Sequence, residues 1–220
     1  MKRFSCILII CFLSAQIYGQ KETMVWVAGN NGFRLDTNQI DTGIFLYFGS
    51  NNINFNSSPP HITRRKNGLN TFYSSESMCD TGGNLLFYSN GNKLFNHSHR
   101  LIEGGDSINY NIDWEKDKSN GGDTGYYAVY RSSYNPEKMI AIPSIKNPNQ
   151  YYIISAIVDT APNEIVASKL TYSILDMSLN SGMGKVIQKE NLILTGSWLP
   201  SISATKHSNG CFWWLIVPHH

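Results

Sequence analysis

The segment Cys79-Asp80-Thr81-Gly82-Gly83-Asn84-Leu85-Leu86-Phe87-Tyr88-Ser89-Asn90-Gly91-Asn92-Lys93-Leu94-Phe95 sets out a polar turn, a strand, a tight turn and a returning strand. Leu85–Tyr88 is an apolar run of strand length. Ser89–Asn92 reads as a hairpin, because Asn-Gly accepts the positive φ that tight hairpin turns demand. The same vocabulary recurs outward along the chain. Short runs rich in β-branched and aromatic residues stand at Met24–Ala28, Ile44–Phe48, Met139–Ile142, Tyr151–Val158, Leu170–Leu175, Lys185–Ile187 and Phe212–Val217. Clusters such as Lys146-Asn147-Pro148-Asn149 and Ser208-Asn209-Gly210 separate them. Glu164–Leu175 spaces some apolar residues helically, but Leu170, Tyr172 and Ile174 alternate with Lys169, Thr171 and Ser173, the period of a half-buried strand. The expected class is all-β.

Composition agrees. Hydrophobic residues make up 41% and charged residues 15% of the 220, which excludes disorder for most of the chain. A formal net charge of +2 offers no basic surplus for nucleic acid. Two regions read as irregular: Asn51–Asn70, with Pro59-Pro60 and Arg64-Arg65-Lys66, and Gly104–Gly125. Loops of that length are often binding elements, or else solvated insertions.

Residues 1–19 read as a secretory signal. Lys2 and Arg3 precede the apolar run Phe4–Ala15, and the small residue Gly19 precedes a polar stretch. The run falls short of the ~20 residues that a membrane-spanning helix needs, so no membrane span is expected after its removal. Taking Lys2 and Arg3 from the 18 basic residues leaves 16 against 16 acidic ones, a formally neutral chain over 20–220. Cys79 and Cys211 remain, each beside a β-type run, and read as two separate thiols or, alternatively, as one bridge.

Three segments repeat one design: Gly83-Asn84-Leu85-Leu86-Phe87-Tyr88, Asn149-Gln150-Tyr151-Tyr152-Ile153-Ile154 and Gly210-Cys211-Phe212-Trp213-Trp214-Leu215. A propeller blade usually spans about 40–50 residues in four antiparallel strands, so these would be long-looped blades. The order of motifs adds to this. Leu46-Tyr47-Phe48-Gly49 with Ile53-Asn54-Phe55-Asn56 comes first, then Cys79–Gly91 and Leu94-Phe95-Asn96-His97. Tyr172–Gly184, with its Asp176-Met177-Ser178-Leu179-Asn180 hairpin, and Ala204–Trp213 follow. Over roughly residues 44–217 this succession resembles the N-terminal propeller-like region of large secreted Bacteroidota surface proteins, which often carry a gliding-motility-associated sorting domain for type IX secretion. The resemblance implies a non-catalytic β-propeller exported to the cell surface or outside the cell, through the periplasm. Two departures stand out: Gly104–Gly125 is longer than the family's connection, and no sorting domain follows within the 220 residues. Residues 20–220 are therefore expected to form an incomplete propeller of about three blades or fewer. They would be a fragment whose missing C-terminal blades or sorting domain belong to a longer chain, or an open array with a partner along its last edge.

The chemistry is sparse. No G-x-S-x-G is present. Gly182-Met183-Gly184-Lys185 has one residue between its glycines and Val186 after Lys185, so it reads as a hairpin turn rather than a phosphate loop. His97-Ser98-His99 would put two imidazoles on one strand face, half of a metal site or an accidental pair. His207 reads as a hairpin tie. Asp113, Glu115, Asp117 and Asp123 fail the EF-hand pattern and leave only a looser Ca²⁺ site; no other cofactor is expected. Asp113, Trp114, Tyr126 and Tyr127 are the candidate ligand-binding residues, since flat aromatic faces stack on sugars or partner side chains. The expected function is binding or adhesion to a glycan, protein or matrix ligand. The alternatives are a propeller glycosidase or lyase, using carboxylates among Asp80, Glu103, Asp106 and Asp176, or a structural spacer in a larger adhesin.

Overall fold

A computed structural model describes residues 23–28, 50–65, 76–109, 139–161 and 164–218. These residues form four antiparallel sheets in chain order, none of them closed. The first holds β1 (Val25–Ala28), β2 (Ser50–Asn54) and β3 (His61–Arg65); the second holds β4 (Glu76–Cys79), β5 (Leu85–Ser89) and β6 (Leu94–Asn96). The third holds β7 (Met139–Pro143), β8 (Gln150–Ala161), β9 (Glu164–Asp176) and β10 (Lys185–Trp198); the fourth holds β11 (Ser203–Lys206) and β12 (Trp213–Ile216). In each sheet every strand pairs with its neighbour in sequence, so the chain advances as a series of meanders. A 3₁₀ turn lies at Asn180–Gly182, and among the described residues no helix is long and apolar enough to cross a membrane.

Alternation along each strand makes the inner sheets apolar on both faces, and the sheets stack accordingly. Val27 of the first sheet packs with Tyr88 of the second. On the other face of the second sheet, Met78, Phe87 and Leu94 join Met139, Tyr151, Ile153 and Leu175 of the third. Ile142, Ile154, Ala156 and Leu170 then leave the third sheet on its far side and meet Trp213 and Leu215 of the fourth, with Trp198 and Ile202 between. Tyr151 and Ile153 thus face one neighbour while Tyr152 and Ile154 face the other.

The repeated turns join first and second strands in three of the sheets, closed by the same backbone bonds. Asp80 N–H donates to Asn84 O (2.8 Å), Ser144 N–H to Gln150 O (2.8 Å) and His207 N–H to Phe212 O (2.9 Å). Asn84, Gln150 and Phe212 are therefore equivalent, so the turn-and-strand design recurs in three sheets, but the third segment is one residue out of the register of the sequence repeat, which set Cys211 beside Asn84 and Gln150. The second unit carries a bulge: Met78 pairs with Phe87 and Cys79 with Leu85, which leaves Leu86 unopposed.

Two expectations need correction. Asn51–Asn70 is not irregular throughout, because β2 and β3 occupy Ser50–Asn54 and His61–Arg65. Asn and Arg are poor strand formers, and the ladder with β1 imposes the extended backbone instead. The first sheet is consequently additional to the three repeats, and the described residues hold four sheets. β10 is also far longer than Lys185–Ile187. It follows β9 to Trp198 through four register shifts, which scramble the alternation that would have revealed it. The expected strand at Ile44–Phe48 and the expected signal segment 1–19 lie outside the described residues.

Candidate functional site

β4 is the junction of the stack. Its odd residues reach the open edge of β1: Val25 N–H donates to Cys79 Sγ (3.3 Å) and Val27 N–H to Ser77 Oγ (3.1 Å). Its even residues reach the third sheet, where Ala141 N–H donates to Glu76 Oε1 (3.3 Å). Side chains of one strand thus accept from backbone amides on two neighbouring sheets. Further along, Trp213 Nε1–H donates to Pro143 O (3.1 Å), tying β12 to the end of β7.

Glu76 is the described carboxylate with the most distinctive chemistry. Burial pushes its carboxyl up from 4.5 to about 7, and the single bond from Ala141 only partly offsets this. The pattern reading passed over it, because it lies in a four-residue strand with no turn or motif around it.

Of the four carboxylates weighed for glycoside chemistry, Asp80 and Asp176 bond within their own turns and Glu103 reaches across to the third sheet. Asp80 Oδ1 accepts Gly82 N–H (2.8 Å) and Asn84 N–H (2.9 Å), while Oδ2 accepts Asn84 Nδ2 (3.0 Å). Desolvation raises its pKa, but these bonds outweigh it and hold the carboxyl below the ordinary range. Asp176 follows the same logic: desolvation is overcome by Ser178 and by Gln150, whose Nε2 lies 3.0 Å from Oδ2. Glu103 is held low by Lys185, 2.7 Å away, and by Asn180 Nδ2, also at 2.7 Å. Asp106 pairs loosely with Lys93 at 3.9 Å, and its backbone carbonyl accepts Lys189 Nζ. A general acid in glycoside cleavage needs a raised pKa, and Asp80, Asp176 and Glu103 are shifted the opposite way. Glu103, Asn180 and Lys185 instead clasp the second sheet's trailing loop to β10, where Val186 N–H also donates to Glu103 O (2.8 Å).

His97 and His99 do not share a strand face. They follow β6 in a turn, with His97 exposed and His99 at φ 60°. His99 Nδ1 lies 3.0 Å from the Tyr88 hydroxyl, which burial pushes up to about 12. His207 does tie its hairpin, since Nδ1 accepts Asn209 N–H (3.2 Å). Gly182-Met183-Gly184-Lys185 lies in the β9–β10 turn, with Gly182 and Gly184 at φ 83° and 86°. Neither cysteine is in a disulfide. Cys79 is buried, and Cys211 is exposed in the turn before β12. Among the described residues no three His, Cys, Asp or Glu side chains group as a metal site.

Asp113, Trp114, Tyr126 and Tyr127, with the loose Ca²⁺ cluster around them, lie outside the described residues. What the geometry defines is an all-β protein of small stacked antiparallel sheets. Comparison with family models, with curated proteins and with solved structures returned no match for this chain.

Proposed function

We propose that the chain is a non-catalytic, exported binding module whose sheets are consecutive blades of a β-propeller-like array. The observation that carries this reading is the succession of meanders in chain order, stacked face to face and linked where β1, β4, β7 and β11 adjoin. The engagement of Asp80, Asp176 and Glu103 as ionised structural acceptors also favours binding over glycoside cleavage.

On this reading residues 1–19 direct export. The module, akin to the N-terminal region of Bacteroidota surface proteins, acts at the cell surface or beyond it. Asp113, Trp114, Tyr126 and Tyr127 present the recognition face for a glycan, protein or matrix ligand, and further blades or a sorting domain would continue the same architecture. Probing glycan arrays and intact cell surfaces with the purified chain tests the proposal. Saturable binding that falls at least tenfold in Trp114→Ala and Tyr127→Ala is the expected result. Absence of binding on every surface, or turnover of a glycan substrate, would overturn it.

A further inference from the structure

The tripeptide Ser-Asn-Gly occurs at residues 89–91, 119–121 and 208–210, and the second of these lies outside the described residues. An asparagine followed by glycine is open to internal imide formation, because glycine has no Cβ to shield its peptide nitrogen. In an unfolded chain the copies at 89–91 and 208–210 are chemically alike, so a difference between them comes from the fold. Both fold the carboxamide back by the same bond: Asn90 Oδ1 accepts Asn92 N–H (3.1 Å) and Asn209 Oδ1 accepts Cys211 N–H (2.9 Å). Each ring so closed contains the nitrogen of the following glycine.

The surroundings differ. Asn90 Oδ1 also accepts Lys93 N–H (3.1 Å), and Gly91 N–H donates to Ser89 Oγ (3.0 Å), which in turn donates to Lys93 O (2.8 Å). Ser89, Gly91 and Asn92 are buried, so opening that turn disrupts the second sheet. Asn209 and its neighbours Ser208 and Cys211 are exposed, and a Cβ at Gly210 would meet nothing within 4 Å. Gly210 N–H is held by His207 O (2.9 Å), and Asn209 N–H by His207 Nδ1 (3.2 Å), in a turn that water reaches. The exposure belongs to the turn rather than to the outer face of the fourth sheet. At the equivalent turns Thr81, Gly82, Lys146 and Pro148 are exposed, although the second and third sheets are packed on both faces. Exposed turns open locally at low free energy, whereas buried and bonded ones open with their element.

We propose that Asn209-Gly210 is a site of spontaneous covalent self-modification, converting Asn209 to aspartate and isoaspartate, while Asn90-Gly91 is held unreactive by its turn. The nitrogen of Gly210 attacks Asn209 Cγ and gives its proton to water; the carboxamide nitrogen takes a proton from water and leaves as ammonia, closing a cyclic imide. Water then adds at either imide carbonyl and breaks that carbonyl's bond to the ring nitrogen, so nothing is oxidised or reduced. Both products place a carboxylate where the turn held a neutral amide. Isoaspartate also adds a methylene to the main chain between β11 and β12, against the pairing of Lys206 with Trp213.

Warm incubation of the purified full chain at mildly alkaline pH, followed by proteolysis and mass spectrometry, tests this. The peptide carrying Asn209 is expected to gain the mass of –OH exchanged for –NH2, with isoaspartate identified by its fragment ions. It should do so roughly tenfold or more faster than the peptide carrying Asn90. In urea the two should convert at similar rates. Gly210→Ala, compared with the parent in urea so that folding plays no part, should slow Asn209 and leave Asn90 unchanged. An Asn209 that stays intact in the folded chain while converting in urea, equal rates at Asn90 and Asn209 in the folded chain, or conversion indifferent to Gly210→Ala would each overturn the proposal.

Discussion

Glu76 carries the clearest titration signature in the described residues, and its sign is fixed by its position between two sheets. Its folded pKa of about 7 lies above the ordinary 4.5, so the folded state holds the proton more tightly than the unfolded chain. Its contribution to stability is full below about pH 4.5 and is lost as pH rises through 7. The swing is on the order of 3 kcal/mol. Glu76→Gln keeps an oxygen acceptor for Ala141 and removes the ionisation. Urea unfolding across pH 4–9 should therefore show the variant gaining on the parent between about pH 4.5 and 7 and keeping that gain at higher pH, and equal pH profiles would contradict the assignment. Gly83 makes a second residue-scale case. Its φ is 86°, and an added Cβ would stand 2.4 Å from Asn56 Oδ1, so Gly83→Ala should cost about 1–3 kcal/mol in the same assay. Asp80→Ala strips the acceptor from two backbone N–H groups of that turn and should cost about 1 kcal/mol.

At the scale of elements, what the sequence disclosed depended on whether local chemistry and tertiary environment agreed. The hairpin at Ser89–Asn92 was legible because Asn90 Oδ1 accepts the N–H groups of Asn92 and Lys93, both at 3.1 Å, and Gly91 takes φ 94°, all local effects. β9 was legible through the alternation of Leu170, Tyr172 and Ile174. β2 was not, because Ser50-Asn51-Asn52-Ile53-Asn54 has almost no strand propensity, and its extended form comes from pairing on both sides. Asp80 and Asp176, weighed in the sequence as candidate acids, each bond backbone N–H groups within a few residues. Glu76 was invisible because its pKa shift arises from burial between sheets far apart in sequence. The element that best reports this packing is β9, where Leu170 is fully buried against the fourth sheet. Leu170→Ala should destabilise the chain by about 2–5 kcal/mol, read as a lower urea midpoint at unchanged slope.

At the scale of the whole molecule, each sheet is too small to bury its own faces, so stability is shared between neighbours, as in repeat architectures. The apolar clusters between successive sheets supply the bulk of that sharing, and the edge bonds from β4 fix the sheets in register. Val25, Val27 and Ala141 have their outward amides bonded to side chains of the adjacent sheet, to Cys79, Ser77 and Glu76 respectively. Residue-resolved hydrogen exchange on these three amides is the most direct test of the stack. The account predicts exchange as slow as in the ladder of β8 and β9, with Ser77→Ala quickening Val27 and leaving Ala141 unchanged. Exchange of all three at the rate of an open strand edge would show that the sheets do not pack on one another and would contradict it.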